Sequence, residues 1–553
     1  MWLPFGVSLV SAILIYIGIL LGQGKNSSSS VVAPGGADES YSDVAFRPFS
    51  VGYKNGTDKL VDIMNMLQSR YVDTLNMSDV IEDAIPLIMG ELDPHSVYIP
   101  AKDLAATNEQ LDGSFSGIGV QFNIQNDTVM VVGVISGGPS EKVGIMPGDR
   151  IVSINDSAFV GKTINNERVF KTLRGEKGTH VKVGVRRASA SDVLQFDIER
   201  GDIPVNSVMA AFIASPGVGY INVDNFGRNT YEEFYSALTM LNAKGAKGFI
   251  IDLRGNSGGY MEVCARMVNE FLGKGDLIVY TEGQTMSRSY MRSDGRGSFQ
   301  KHPVVVLIDE WSASASEILA GAIQDNDRGM VVGRRSFGKG LVQQQFELND
   351  GSALRLTVAR YYTPSGRCIQ KAYEMGEQEE YAMDIVHRYE RGEFYSQDSI
   401  HFADSLKYTT RQGREVYGGG GIMPDIFIPS DSTGITPYYT NMLNLGLFYS
   451  FAFRYADTHR EQLAQFTTFE DLDKHIDGLN LTERLVEYAS DKVKPNAKEI
   501  AVSRRRMQQL LKAYVMRQVF SDNYFYRAFY ADDPGYLKAI ELIQQGKAMP
   551  EIQ

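Results

Sequence analysis

The chain has 553 residues, 43% of them apolar and 22% charged, which excludes wholesale disorder and leaves room for several compact units. A formal net charge of −12, with no basic stripe to offset it, excludes broad nucleic-acid binding. Two distant cysteines, Cys264 and Cys368, exclude a disulfide scaffold, and the scattered histidines contain no HExxH pair that would hold zinc.

Residues 1–22 carry no charged side chain and are rich in Leu, Ile and Val, long enough to cross a bilayer as a helix. No basic stretch precedes them, and Gly22-Gln23-Gly24 is a poor cleavage signal, so an uncleaved anchor is expected. Lys25, the nearest basic residue, by itself weakly favours the opposite orientation to the one adopted below. Residues 23–52 are Gly/Ser/Pro-rich and aperiodic, a flexible linker. Leu60, Ile63, Met64, Leu67 and Tyr71 follow helical spacing, and a second helix is expected after Ser78 as N-cap, running to about Gly90. Residues 53–112 thus read as a helical region.

From 113 to 203 the texture is β-rich. Strands are expected at Val120–Ile124 and Thr128–Ile135 around an Asn126-Asp127 hairpin, then at Ile151–Ile154 and Val181–Arg186, with a short helix at about Asn165–Leu173. From 204 to 434 strands and helices alternate, which predicts an α/β layer on a central sheet. Buried strands are expected at Tyr220–Val223, Phe249–Leu253, Val304–Ile308 and Met330–Val332. Helices are expected at about Tyr231–Leu241, Tyr260–Leu272 and Ser316–Gln324. Residues 435–553 read as a helical region, with helices at Asn441–Tyr455, Arg504–Phe520 and Pro534–Gln545.

Three segments carry chemistry. The apolar run Val304–Ile308 passes through Asp309-Glu310-Trp311-Ser312-Ala313-Ser314 into a helix, so a serine stands at a helix N-terminus, where negative charge is favoured. Ser314-x-x-Glu317 also fits a capping box, the stronger reading of that segment alone. Asp252-Leu253-Arg254-Gly255-Asn256-Ser257-Gly258-Gly259 likewise follows a strand, and its glycines let backbone N–H groups approach an oxyanion. Lys339 stands between Gly338 and Gly340 among apolar neighbours. Together they supply a serine, a lysine and an anion cradle with no histidine, the ingredients of a Ser/Lys mechanism with lysine as base. Half-neutral lysine at pH 7 requires a drop of about 3.4 units, so the site should be dry around Lys339. Gly333–Lys339 also matches GxxxxGK, but Gly340 replaces the magnesium-binding Ser/Thr and a strand follows, which sets a nucleotide hydrolase aside.

With Leu92-Asp93-Pro94-His95-Ser96 and Phe115-Ser116-Gly117-Ile118-Gly119-Val120, these segments resemble the carboxyl-terminal processing (tail-specific) proteases, PDZ-containing Ser/Lys peptidases, over nearly all of 53–430. The resemblance implies Ser314 as nucleophile, Lys339 as base, Gln343 orienting the lysine, and the N–H groups of Gly258 and Ala315 as oxyanion donors. Ser312 and Ser316 are left as turn or cap residues. It implies Ser116, Gly117, Ile118, Gly119 and Val120 as a PDZ carboxylate loop, with Val169 and Phe170 candidates for the side-chain pocket. The implied fold is an α/β protease core, a mixed sheet with flanking helices of crotonase-like, ClpP-related type, with an inserted PDZ domain and helical N- and C-terminal regions. No cofactor or metal is implied. The partners are protein substrates with free apolar C-termini and, through the first helix, a membrane; the helical regions are candidates for a homo-oligomer or adaptor contact. Tyr362–Arg367 and Tyr417–Asp425 resemble Bacteroidetes members, which implies a single-pass protein of the inner membrane with its catalytic part in the periplasm. A non-cleaving PDZ scaffold of the cell envelope is the alternative, and the intact Ser314, Lys339 and Gln343 set favours the protease.

Overall fold

The computed structural model describes residues 56–550 apart from 126, 136 and 188, so the expected anchor and linker lie outside the described residues. Among the described residues no helix is long and apolar enough to cross a membrane. Helix α1 (Gly56–Arg70) keeps the expected stripe but buries none of it. Helix α2 (Met77–Gly90) is capped by Asn76 rather than Ser78, because the Asn76 side chain accepts the Ser78 N–H. A short strand β1 (Val97–Ile99) and a helix α3 (Ala101–Asp112) lead into the β-rich module.

That module contains β2 (Ser114–Gly117), β3 (Val120–Gln125), β4 (Thr128–Val134), β5 (Arg150–Ile154), α4 (Asn166–Leu173), β6 (His180–Arg186), β7 (Leu194–Glu199) and β8 (Gly201–Pro204). Its main sheet runs β3-β4-β5-β6-β7, which leaves β3 at an edge, while β2 pairs antiparallel with β8 where the chain enters and leaves. Alternate residues such as Val129, Val131, Ile151 and Val183 fill its separate core.

The core sheet is built from β9 (Val208–Ser215), β10 (Val218–Val223), β11 (Gly248–Asp252), β12 (Val304–Ile308), β13 (Met330–Gly333) and β14 (Ile426–Phe427), in that spatial order. The first pair is antiparallel and the others are parallel. The unbroken apolar run of β12 follows from burial on both faces. Val304, Val306 and Ile308 pack against α5 (Thr230–Ala243), α6 (Met261–Asn269) and α7 (Ala315–Asp325). Val305 and Leu307 face the other way, onto Tyr536, Leu542 and Ile543. A hairpin of β15 (Leu341–Glu347) and β16 (Ala353–Tyr362) belongs to a second sheet, in which β16 also pairs with β1. Helix α8 (Gln378–Glu390) is tied through the Tyr381 hydroxyl to the amide of Gln370, in the segment that follows the hairpin.

The C-terminal region is helical, as expected, but two details differ. The expected helix Asn441–Tyr455 is split into α9 (Pro437–Asn444) and α10 (Leu447–Thr458) by Gly446 at φ 63°, a conformation that glycine adopts without a Cβ penalty. Helix α11 (Ala497–Val519) forms the spine of a helical core with α10 and α12 (Asp522–Phe529). The last helix, α13 (Pro534–Gln544), leaves that core and covers the second face of the central sheet. The α/β layer therefore draws on residues beyond 204–434, because a parallel sheet buried on one side only would expose Tyr220, Ile250, Val305 and Leu307.

Truncating Leu542 should therefore destabilise the sheet and not only the C-terminal end. Leu542→Ala is expected to cost about 2–4 kcal/mol. Hydrogen exchange at 248–252 and 304–308 should accelerate with it; unchanged protection there would mean that α13 is not part of the core.

Candidate active site

Strand β12 ends at Ile308, and the chain turns through Asp309–Ala313 to place Ser314 as N-cap of α7 with φ 55° and ψ −115°. A non-glycine residue held there costs on the order of 1–3 kcal/mol and persists only where its surroundings fix it. Those surroundings are explicit. The Ala313 N–H and the Ser316 hydroxyl both donate to the Asn256 carbonyl at 2.9 Å. The Ser312 hydroxyl donates to the Leu253 carbonyl at 2.8 Å and accepts the Asp309 N–H at 2.9 Å. Ser312 and Ser316 are thus fully buried ties between the two turns. The Ser314 side chain faces the Glu317 N–H and the Glu317 side chain faces the Ser314 N–H, the two halves of a capping box.

Glu317, fully buried on the first turn of α7, joins this turn to the lysine segment. One oxygen accepts the Ser314 and Lys339 N–H groups, each at 2.8 Å, so those two nitrogens lie within twice that distance. The other accepts the Ser336 hydroxyl at 2.5 Å and the Gly338 N–H at 2.8 Å. Burial pushes its pKa up to about 7, against the pull of these four donors. The Tyr361 hydroxyl, also buried, sits between the Ser314 and Lys339 carbonyls. The capping-box spacing is therefore real, and the glutamate in it also fixes the backbone of Lys339.

Burial brings the Lys339 amine down to about 8, with the Arg355 charge adding to the effect. Its ammonium donates to Gln343 Oε1 at 2.9 Å, and among the described residues it has no bond to Ser314 Oγ. Gln343 in turn donates to the His95 carbonyl. That carbonyl is held by a tight turn in which the Asp93 carboxylate accepts the N–H groups of His95 and Ser96, the Ser96 hydroxyl and the Thr357 hydroxyl. His95 Nε2 lies 3.0 Å from the Tyr381 hydroxyl, and desolvation lowers its pKa to about 3, so the imidazole stays neutral. Asp93, His95 and Tyr361 were not assigned roles from sequence, and Glu317 was read only as a capping-box residue. The Leu92–Ser96 segment and the spacing of Glu317 behind Ser314 were the signals that could have found three of them.

Gly258 lies against Ser314: a Cβ there would stand 2.7 Å from the Ser314 Cβ, and its φ is 110°. Only glycine fits. Its N–H, however, donates to Asn256 Oδ1 at 2.8 Å in this conformation. The Ala315 N–H, the other expected oxyanion donor, has no acceptor among the described residues, and neither has the N–H of Gly259. The turn is pinned by Asn256, whose amide donates to the Val223 carbonyl at 2.8 Å, and by Asp309, which accepts the Gly255 N–H at 2.9 Å. The GxxxxGK match ends in strand β15, not in a phosphate-binding helix.

In the PDZ-like module, Ser116 and Gly117 end strand β2, Ile118 and Gly119 form the loop, and Val120 opens β3. The Ile118 and Gly119 carbonyls accept the Ser140 and Ile135 N–H groups, each at 2.9 Å, while their own N–H groups have no acceptor among the described residues. Beside them the Arg174 guanidinium lies 4.4 Å from the Phe115 ring centre and 4.9 Å from that of Phe170, its Nε without a partner. Phe170 is partly exposed and meets Phe122 edge-on, as a groove residue should. Val169 corrects the sequence reading: it is fully buried in the module's core and lines no pocket.

Residues 217–380 match the profile of peptidase family S41, residues 116–199 that of the PDZ domain, and residues 438–521 that of a family of unknown function. The chain is 35% identical over 315 residues to the carboxy-terminal-processing protease of Bartonella bacilliformis, covering 56% of this chain and 71% of that protein. It therefore belongs to the carboxy-terminal processing protease family. The carboxy-terminal processing proteases CtpA and CtpB of Bacillus subtilis are also 35% identical, over 57% of this chain; the match spans 66% and 65% of their lengths, just under two thirds. Among solved structures, the photosystem II D1 C-terminal processing protease is similar at 26% identity over 68% of this chain and 87% of that chain, with a TM-score of 0.35.

Glu317→Gln replaces one acceptor oxygen by a donor facing two donors. It is expected to cost about 2–5 kcal/mol. It should also abolish labelling of Ser314 by a fluorophosphonate. A variant with wild-type melting temperature and labelling would show that the carboxylate is not what joins the two segments.

Proposed function

We propose that the chain is a serine endopeptidase that captures protein tails by their free, apolar C-termini and cleaves them with Ser314 and Lys339. The observation that carries this reading is the Glu317 carboxylate, which receives the N–H groups of both residues and so sets the nucleophile and the lysine side by side. Neutral Lys339 takes the Ser314 proton as Oγ attacks the scissile carbonyl. The oxyanion is met by the Ala315 N–H and the Gly258-Gly259 turn. The lysine then returns the proton to the leaving amine, and water hydrolyses the acyl ester by the same route. The Lys339–Gln343 bond describes the site before substrate arrives, and the lysine has to reach Oγ in the complex.

The tail is held where the free Ile118 and Gly119 N–H groups converge, with Arg174 beside them, and the open edge of β3 adds the peptide as a strand. We further propose that residues 1–22 anchor the protein in the inner membrane with the catalytic part in the periplasm. Their length without charge supports this, and fractionation of cells with and without residues 1–22 tests it.

Ser314→Ala should remove cleavage of a free-acid tail peptide while leaving the melting temperature unchanged. If it does not, the nucleophile is elsewhere; if the wild type itself cleaves nothing, the scaffold alternative holds. Activity should rise with pH through about 8, because the base works only when neutral and burial has lowered its pKa. Lys339→Arg should be inactive at every pH, since guanidinium does not deprotonate. Amidating the tail should weaken binding by about tenfold or more, because a charge-assisted hydrogen bond is worth about 1.5–3 kcal/mol. Equal affinity for acid and amide would rule out carboxylate reading.

A further inference from the structure

The turn that carries Gly258 and Gly259 is held from within by the Asn256 side chain and at its start by Arg254. Its first residue, Arg254, is nearly buried and is the one long side chain in the segment. Arg254 reaches back to Asp252, at 2.9 Å from Nε and 2.6 Å from Nη2, and Asp252 is in turn bound by the Tyr220 hydroxyl at 2.7 Å. Its remaining nitrogen, Nη1, donates at 2.8 Å to Asp533, a residue 279 positions away at the N-cap of α13. The Tyr530 ring closes over the guanidinium at 4.5 Å. One side of this clamp opens on a cavity of about 450 Å³ between the sheet's carboxyl ends and the C-terminal helices. Packing alone therefore does not lock the arginine in place.

We propose that Asp533 is a positioning residue for peptide hydrolysis: through Arg254 the last helix of the chain holds the oxyanion turn in register with Ser314. The inference rests on the Ser314/Lys339 reading. Arg254 is followed by Gly255, whose N–H is fixed by Asp309, and then by Asn256, which ties the turn to the nucleophile through its carbonyl. Rotation of the Arg254 backbone is transmitted along this path to Gly258 and Gly259. An oxyanion exists only in the transition state and the tetrahedral intermediate, so misplaced donors lower kcat and leave ground-state binding alone.

Asp533 also caps α13 by accepting the Tyr536 N–H at 2.7 Å, and the test must keep that bond. Serine caps a helix as well as aspartate does but is too short to reach Arg254, and asparagine keeps both the cap and the reach while losing the charge. In the full-length protein, Asp533→Ser is expected to lower kcat about tenfold and Asp533→Asn about threefold, with KM changed less than about twofold. The affinity of a peptide aldehyde, which forms a tetrahedral adduct on Ser314, should weaken in proportion to the loss in kcat/KM. The melting temperature and the fraction of chains titrated at Ser314 should stay at wild-type values. Wild-type kcat in Asp533→Ser overturns the inference, as does a loss accounted for by fewer titratable sites. Ser314→Ala in the same assay separates the two levels. If it still cleaves, the Ser/Lys reading itself falls. If it is dead while Asp533→Ser turns over normally, only the role of Asp533 falls.

Discussion

A single buried carboxylate holds the reaction centre together. Glu317 accepts four hydrogen bonds from two segments that are remote in sequence, and two of those donors are the backbone N–H groups of the proposed nucleophile and base. A carboxylate has about four lone-pair sites and no donor, so it suits a place where four donors converge. An apolar residue there would leave four buried donors unpaired, and an amide would turn one donor against two others. The same contacts explain how Ser314 is kept at positive φ: its N–H is fixed by Glu317, its carbonyl by Tyr361, and its neighbours by Asn256 and Leu253.

What positions Glu317 is the parallel sheet. Strands β11 and β12 are adjacent and in register, so the turns that leave their carboxyl ends emerge side by side. The donor turn and the nucleophile turn then meet through backbone and short polar side chains, not through large ones. That is why both are written in Gly, Ser, Ala and Asn: any Cβ at Gly258 would strike Ser314. The lysine reaches the same point from the far end of the hairpin of β15 and β16, with the Leu92–Ser96 turn bracing Gln343 from behind.

Much of this was legible in the sequence, and the parts that were not share a cause. Strand–turn–helix patterns at 248–261 and 304–317 are local, and their period and turn chemistry identified the elements to within a few residues. The serine, lysine and glutamine stood out once the segments were taken together. Long-range ties were not legible. Nothing in the spacing of Asp93 says that it will hold a carbonyl under Gln343, and nothing around Asp533 points to Arg254. The third layer was missed for the same reason: Pro534–Gln545 reads as a helix, one residue longer than α13, but periodicity does not say which apolar face it will cover. The Gly446 break and the Asn76 cap were local signals passed over. The engaged Gly258 N–H was beyond sequence altogether, since it depends on the side-chain orientation of Asn256.

The two desolvated ionisable groups at the centre, fully buried Glu317 and half-buried Lys339, carry opposite demands in the proposed mechanism, and their arrangement reconciles them. As the proposed base, Lys339 has to lose a proton easily; it is desolvated and its amine has one neutral partner, Gln343, in place of a carboxylate. Glu317 must keep accepting hydrogen bonds, so it is desolvated but given four donors. Were the lysine ammonium bonded to Glu317, the pair would stabilise both charges and raise the lysine pKa, which would remove the base at neutral pH. The structure avoids this by directing the lysine's backbone N–H, not its side chain, to the carboxylate. The consequence for stability has a definite sign. Between about 8 and the ordinary lysine value the unfolded chain holds a proton at position 339 that the folded chain has released, so this group makes folding more favourable as pH rises through that window. Below it, the folded protein carries a half-buried, desolvated ammonium at a net cost. The lysine is held by its backbone N–H to Glu317 and its amine to Gln343 although its charged form is disfavoured there, which fits the proposed role as base.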